Sequence, residues 1–242
     1  MKKRKGIPIR FIIPNAITSG SVFCGVSSLI LTYHDKFIQA AVIICCAAFF
    51  DLMDGRAARR FGGGSHFGEE MDSLADAISF GVAPAFLMYA SFIGIEVGVL
   101  GAFAASFFVL CAVLRLARFN VTHVPTGPFQ GLPSPAGGLT LVAFVFAGIP
   151  LTPLLAVAIM IACGALMISS VSFCNTKRLR KNNVNKLKMN IVKSFVLICF
   201  LLLREKSFMA LALVYIATGL LSFDVAAWVM LPEAFEEDKA VI

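Results

Sequence analysis

Apolar side chains dominate this chain in long, nearly uninterrupted runs rather than in short alternating stretches. Most runs approach the length that a helix needs to cross the hydrocarbon core of a bilayer, about 20 residues. Because backbone polar groups in lipid must be satisfied internally, and because the runs lack the alternation of barrel strands, the pattern predicts α-helices. Eight membrane-spanning helices are predicted, at residues 11–33, 37–55, 69–91, 95–117, 136–149, 151–173, 190–203 and 207–231.

Composition places the chain in the same class. Of its 242 residues, 59% are hydrophobic and 14% charged, and the mean hydropathy is +0.87, well above the range of soluble domains. No long polar stretch remains from which to build a soluble domain. Residues 1–242 are therefore predicted to form a single membrane domain, an all-α integral membrane protein built as a bundle of about eight transmembrane helices. The run after Met1–Arg10 is interpreted as a retained first span rather than a cleaved signal.

Positive charge predicts how the bundle is oriented. With eight spans, all of the 21 lysines and arginines except Lys36, Arg204 and Lys206 fall on one face. Cytoplasmic loops retain lysine and arginine, so this face and both termini are predicted to be cytoplasmic. The net charge of +7 is attributed to anionic lipid headgroups, since no basic-aromatic module indicates nucleic-acid binding. The basic stretch 177–193 is predicted to be a solvated loop, with substrate or lipid contact as the alternative.

Four aspartates interrupt this apolar pattern at helical spacing. Asp51 and Asp54 are three residues apart, and Asp72 and Asp76 are four apart, so each pair lies on one face of a helix. A glycine-rich segment at 62–68 favours a reversal between the pairs. Spans two and three are therefore predicted to be antiparallel, with all four carboxylates near the cytoplasmic surface.

Four carboxylates in a partly dehydrated place repel one another by several kcal/mol unless cations neutralise them. Oxygen-only ligands favour Mg²⁺ or Mn²⁺ over zinc or copper. Two such ions would bridge the carboxylates to a substrate diphosphate. Arg56, Arg59 and Arg60 follow Asp54 within two turns, where a guanidinium can bind phosphate oxygens. Two alternative explanations remain for these charges. The acids and arginines could form structural ion pairs, or the arginines could simply lie at the cytoplasmic ends of the helices, where positive charge is common.

The pattern Asp51-x2-Asp54-Gly55-x2-Ala58-Arg59-x8-Gly68-x3-Asp72-x3-Asp76 resembles the signature of the CDP-alcohol phosphotransferases, membrane enzymes of phospholipid synthesis. The resemblance implies a six-helix family core with two added helices, a homodimer, and a site that binds two Mg²⁺ or Mn²⁺ ions. It implies that the four aspartates are metal ligands and that Asp76 is also the general base. It further implies that a CDP-lipid donor is bound by Asn15, Thr18, Gly55, Arg59, Ser65 and Gly68.

Other blocks are similar to the phosphatidylserine synthase branch of that family. These blocks are "DSLADAISFGVAPA" (72–85), "RLARFNV" (115–121) and "FQGLPSPAGG" (129–138). They imply CDP-diacylglycerol as donor and L-serine as acceptor, giving phosphatidylserine and CMP. Arg115 and Arg118, assisted by Asn120, are predicted to bind the serine carboxylate. The alternative is that the two arginines only reflect the excess of positive charge at cytoplasmic helix ends and do not bind the acceptor.

Two alternatives remain open from the sequence. The same donor with glycerol 3-phosphate, inositol or an inositol phosphate as acceptor would also use Arg115 and Arg118. A cation transporter would use the four acids as its ion site, but no internal repeat is visible. The resemblance places the enzyme in a bacterial-type inner membrane, with its active site on the cytoplasmic side. Asp224, in the last predicted span, is predicted to form a hydrogen bond within the bundle.

Overall fold

Four long helices form the first half of the structure, a computed structural model that describes residues 9–61, 66–94, 97–122, 129–174 and 184–231. By length and composition, all four are able to cross a membrane. They are α1 (Ile9–Tyr33), α2 (Phe37–Phe61), a composite third helix from His66 to Ile93, and α5 (Gly98–Thr122). The third comprises α3 (His66–Asp76), a π turn (Ala77–Val82), α4 (Ala83–Met88) and a second π turn (Tyr89–Ile93).

Shorter helices form the second half. They are α6 (Ser134–Ala147), α7 (Pro153–Ile168), α8 (Lys186–Leu203), α9 (Ser207–Leu220) and α10 (Val225–Val229). Two strands of two residues each, β1 (Phe129–Gln130) and β2 (Ser172–Phe173), pair antiparallel and join the entry of α6 to the exit of α7. Each of the eight predicted spans corresponds to a helix, and the prediction of an all-α membrane protein is confirmed.

The predicted end of the eighth span is wrong, and with it the placement of Asp224 inside a span. The eighth span was predicted to reach residue 231, but α9 ends at Leu220. The chain turns through Ser222, at φ +55°, and Asp224 then accepts hydrogen bonds from the backbone N–H groups of Ala226 and Ala227. Asp224 is therefore the N-cap of the short helix α10 rather than an acid within a span.

The basic stretch 177–193 was predicted to be a solvated loop, but its last part is helical. Helix α8 begins at Lys186, four residues before the predicted start of the seventh span. Asn185 caps that helix by accepting hydrogen bonds from Leu187 and Lys188 N–H. Lysine stems can lie along apolar surface while their ammonium groups reach water, so the charges do not prevent a helix here. Residues 175–183 lie outside the described ranges.

The core lies where α6 meets the third helix and α5 packs on α7. Phe80 and Leu87 of the third helix and Leu141 and Val142 of α6 are almost fully buried there. At the periphery, large apolar side chains such as Phe23, Val99 and Leu202 remain exposed, as expected for a surface covered by lipid. The bundle therefore holds its polar site against α6 and exposes apolar side chains to the bilayer.

Gly138 allows α6 to approach the first π turn closely, and replacing it by alanine is expected to destabilise the bundle. A Cβ atom there would lie 2.6 Å from the carbonyl oxygen and 3.0 Å from the Cα of Phe80, which are backbone atoms that cannot move alone. We expect Gly138→Ala to lower the free energy of unfolding by about 1–3 kcal/mol, measured by thermal unfolding in detergent.

Gly137→Ala is the matched control for this substitution. Its Cβ would collide with the terminal methyl group of Met167, which can rotate away, and would lie at an ordinary contact distance of 3.4 Å from a side-chain methyl of Leu132. An equal loss of stability in both variants would contradict the assigned backbone contact, since adding a Cβ at this helix start would then be destabilising whether or not it meets the backbone of Phe80.

Candidate active site

Three carboxylates meet between α2 and α3. Asp51 lies on α2, and Asp72 and Asp76 lie one turn apart on α3. One oxygen atom from each of the three residues lies within 4.8 Å of the others. Asp76 is only 9% exposed, whereas Asp51 and Asp72 are half-buried. The convergence predicted from the two helical pairs is therefore present for three of the four aspartates.

The fourth aspartate, Asp54, is bound from the neighbouring helix α1. The Thr18 hydroxyl lies 2.9 Å from Asp54 Oδ2 and 3.1 Å from the Pro14 carbonyl oxygen, so its proton has two acceptors. Asp54 is 7% exposed and interacts electrostatically with Asp76. This carboxylate therefore lies beside the cluster. Its orientation is fixed by the hydroxyl of Thr18, a residue predicted from the sequence to bind the CDP-lipid.

The predicted donor-binding residues surround this cluster on two helices. Asn15 is half-buried on α1, one turn before Thr18. On α2, Gly55 is half-buried, and the position of a Cβ there would lie 3.6 Å from Nη1 of the exposed Arg59. The Arg59 side chain therefore extends back along the helix over the glycine. Gly68 lies on α3, half-buried, and Ser65 lies outside the described residues.

The donor set fits a hard divalent cation. All three clustered side chains offer carboxylate oxygens, which Mg²⁺ and Mn²⁺ prefer, and their mutual repulsion favours a bound cation. The geometry alone is compatible with one such ion and does not define a second site. Asp54 would have to turn from Thr18 or use its other oxygen to join the coordination.

Arg115, near the end of α5, connects this cluster to the loop that enters α6. Its Nη1 donates a hydrogen bond of 2.9 Å to the Ser134 hydroxyl, and its guanidinium carbon lies 5.7 Å from the centroid of the Phe119 ring. Arg115 also interacts electrostatically with Asp76 and with Tyr215 of α9. A half-buried guanidinium is thus held beside the innermost carboxylate.

The other two predicted acceptor residues form hydrogen bonds with side chains of β1 and α3. Arg118 is exposed and donates a hydrogen bond to the Gln130 side chain. The Asn120 side chain accepts a hydrogen bond of 3.1 Å from Ser73 and donates one of 3.5 Å to Glu70. These contacts join α5 to β1 and to α3. Of the three residues predicted for the acceptor, Arg115 interacts with the aspartate cluster, through Asp76.

An apolar cavity of about 470 Å³ opens between α2, α6 and α9. It is lined by Leu52, next to Asp51, and by Tyr215 at the Arg115 side. Its other walls are formed by Cys45, Ala48, Phe49, Ala136, Leu139, Thr140, Val142, Ala143, Phe146, Phe208, Leu211 and Ala212. An apolar space thus begins beside the charged cluster, as expected where the polar and hydrocarbon parts of a lipid separate.

Comparison with known proteins decides the family. The CDP-alcohol phosphatidyltransferase family model matches residues 11–147, more than half of the chain. This protein belongs to that family. All four aspartates and Arg115 of this family member lie inside the matched region, whereas α7 to α10 lie beyond it.

Individual relatives of this family member extend the similarity past residue 147. It is 32% identical over 180 residues to a CDP-diacylglycerol–serine O-phosphatidyltransferase of Helicobacter pylori, covering 71% of this chain and 76% of the relative. A Bacillus subtilis protein of the same name is 33% identical over 180 residues, covering 74% and 98%. An archaetidylserine synthase of Methanothermobacter thermautotrophicus is 36% identical over 175 residues, covering 72% and 74%.

Three residues at this site had not been identified from sequence: Ser134, Gln130 and Tyr215. Ser134 and Gln130 fall in the "FQGLPSPAGG" block, whose resemblance to the serine-using branch drew attention to the segment without assigning roles. Tyr215 lies in an apolar run about 100 residues after Arg115, and only the tertiary structure brings the two together. A polar side chain within the eighth predicted span was the available signal.

Proposed function

We propose that this protein transfers the phosphatidyl group of CDP-diacylglycerol to the hydroxyl of L-serine, giving phosphatidylserine and CMP. The observation that carries the proposal is the cluster of Asp51, Asp72 and Asp76 beside the guanidinium of Arg115, in a chain that belongs to the CDP-alcohol phosphatidyltransferase family. The names of several relatives support L-serine as the acceptor.

The donor is proposed to lie between α1, α2 and α3. Asn15 and Thr18 face its cytidine end, Gly55 leaves room for the diphosphate, and Arg59 binds phosphate oxygens, with Ser65 and Gly68 completing the contacts. Asp51, Asp54, Asp72 and Asp76 are proposed to hold two divalent ions, Mg²⁺ or Mn²⁺. Bound there, the ions would neutralise charge on the diphosphate during transfer. The apolar cavity beside Leu52 offers hydrocarbon surface to an acyl chain.

Asp76 is proposed to take the proton of the acceptor hydroxyl. The serine oxygen attacks the phosphorus that carries the diacylglycerol, a new P–O bond forms, and the P–O bond to CMP breaks with its electrons leaving on CMP. Burial of Asp76 at the base of the cluster keeps bulk water from competing as the attacking oxygen. The chain therefore contributes position, charge and one proton acceptor.

Arg115 is proposed to bind the serine carboxylate. Its hydrogen bond to Ser134 uses one of its five N–H groups, and the planar guanidinium retains others for a forked contact. Arg118 and Asn120, predicted as its partners, are bonded to Gln130 and to Ser73 and Glu70. We assign to these two residues the role of fixing the loop and helix ends around the acceptor.

The decisive experiment measures CMP release by purified protein from CDP-diacylglycerol. L-Serine, glycerol 3-phosphate, inositol and inositol phosphate are offered separately, and the lipid product is identified by mass. We expect release with L-serine and phosphatidylserine as product. Release with inositol or a phosphorylated acceptor alone would refute the serine assignment, and cation flux in vesicles without any CMP release would favour the transporter.

The proposal includes the setting of the reaction. The chain is proposed to be a single membrane domain in a bacterial-type inner membrane, with both termini and the active site at the cytoplasmic side. The distribution of lysine and arginine supports this orientation, because the cluster lies at the end of α2 that carries Arg56, Arg59 and Arg60. Family resemblance supports a homodimer.

A further inference from the structure

Tyr215 reaches the acceptor side of the site from a helix outside the region matched by the family model. It lies on α9 (Ser207–Leu220), whereas the match ends at residue 147. Its side chain lines the apolar cavity and interacts electrostatically with Arg115, which in turn interacts with Asp76. The phenol therefore lies at the boundary between the hydrocarbon-lined space and the charged centre.

Packing fixes the orientation of this phenol. The Tyr215 ring packs on the ring of Phe173, with centroids 5.7 Å apart, and Phe173 is only 1% exposed. Gly219, one turn later on α9, makes room for Phe173, since a Cβ there would collide with the Phe173 ring. The strand pair β1–β2 holds Phe173 opposite Phe129. The phenol is thus set in place by Phe173 of β2 and by the space that Gly219 leaves on α9.

The hydroxyl proton of Tyr215 has a protein acceptor. Tyr215 donates a hydrogen bond of 3.4 Å to the carbonyl oxygen of Cys174. A phenol has one proton to donate, so with that proton directed to Cys174 its oxygen acts as an acceptor toward other groups. An acceptor oxygen close to a guanidinium suits a ligand that carries both a negative and a positive group.

We propose that Tyr215 determines acceptor specificity by accepting a hydrogen bond from the α-ammonium group of the amino-acid acceptor, while Arg115 binds the carboxylate of the same molecule. The inference deepens the proposed function and rests on it. Serine carries its carboxylate, ammonium and hydroxymethyl groups on one carbon atom. Arg115 interacts with both Tyr215 and Asp76, so these three side chains offer one partner for each group of serine.

This arrangement also selects against phosphorylated acceptors. Glycerol 3-phosphate carries about two negative charges and has no ammonium group. It would therefore leave the Tyr215 oxygen opposite an anion. Leaving a polar group of the site without its partner weakens binding enough for about a tenfold or greater preference. A phenol beside the guanidinium of Arg115 therefore favours a zwitterion over a dianion.

Tyr215→Phe tests the proposal because it removes one oxygen atom and keeps the ring against Phe173. We expect kcat/KM for L-serine to fall about tenfold or more, mainly through KM, with KM for CDP-diacylglycerol unchanged. Ethanolamine, which has the ammonium but no carboxylate, is expected to lose binding by a similar factor. 3-Hydroxypropanoate, which has the carboxylate but no ammonium, is expected to be unaffected. Each analogue is also titrated as an inhibitor of serine turnover, so that poor turnover does not remove the readout.

The matched control is Tyr89→Phe, at another half-buried tyrosine, in the second π turn. This variant is expected to leave kcat/KM unchanged for L-serine, ethanolamine and 3-hydroxypropanoate. Ratios between acceptors within one preparation do not depend on the fraction of folded protein. Equal losses for L-serine and 3-hydroxypropanoate in Tyr215→Phe, or no loss for either, would overturn the role of Tyr215 although the wild-type protein still used serine. Failure of the wild-type protein to use serine would instead refute the proposed function.

Discussion

Replacing Asp76 with asparagine is expected to abolish phosphatidyl transfer while leaving the CDP-lipid bound. The asparagine amide has nearly the same size and keeps one oxygen, but it cannot take the proton of the attacking hydroxyl. Removing a positioned general base lowers kcat by about 10²–10⁴-fold, and the loss of a charged metal ligand adds to it. The measurement is the initial rate of CMP release, alongside CDP-diacylglycerol binding by titration calorimetry in detergent.

Asp35→Asn serves as its control. Asp35 is exposed in the turn between α1 and α2, at φ +57°, a conformation that asparagine also tolerates. This variant removes one negative charge, as Asp76→Asn does, but at a position outside the cluster. It is expected to retain full activity. Substantial turnover by a clean Asp76→Asn preparation would remove Asp76 from the role of base.

Removal of divalent metal is expected to stop the reaction completely. Asp51, Asp72 and Asp76 bring their oxygens within 4.8 Å of one another, and a diphosphate would add further negative charge. Excess chelator should therefore eliminate CMP release, and Mg²⁺ or Mn²⁺ should restore it. Binding to the folded state also stabilises it, by about 2.7 kcal/mol when the ion is at 100 times its dissociation constant. A rise in the thermal unfolding midpoint on addition of Mg²⁺ is thus a readout that does not need activity.

Asp51→Asn links that readout to the cluster. The variant is expected to lose the Mg²⁺-dependent rise in unfolding midpoint and to need at least tenfold more Mg²⁺ for any remaining turnover. Asp35→Asn should behave as the wild-type protein in both measurements. Full activity in the presence of chelator, or an unchanged Mg²⁺ effect on Asp51→Asn, would show that this cluster does not hold the ion.

The positions of the helices could be predicted because lipid imposes a simple rule on sequence. A segment of apolar residues long enough to cross the bilayer has few alternatives to a helix. The pairing of Asp51 with Asp72 and Asp76 was also predictable, since spacing of three and four residues places side chains on one helix face. The glycine-rich stretch at 62–65, which lies outside the described residues, then left two antiparallel helices as the simplest arrangement.

Hydropathy carried less information about boundaries and partners. It did not distinguish α9 from the turn that follows, because Leu221 and Phe223 are as apolar as a span, while Asp224 ends the pattern by capping α10. It also missed that lysines open α8. Contacts such as Arg115 with Ser134 or Asn120 with Ser73 depend on how helices pack, and no periodicity within one segment specifies them.

The π turn at Ala77–Val82 changes which side chains share a face along the third helix. It follows Asp76 directly and contains Phe80, against which Gly138 is packed. A π turn accommodates about one residue more than an α-helical turn, so the side chains after it are displaced by one position, about 100°, from the face that uniform α-helical spacing would give them. This turn therefore sets the register between the Asp76 carboxylate and the end of the helix that is buried against α6. Uniform helical spacing counted from Asp76 would bring the wrong residues of the third helix against α6.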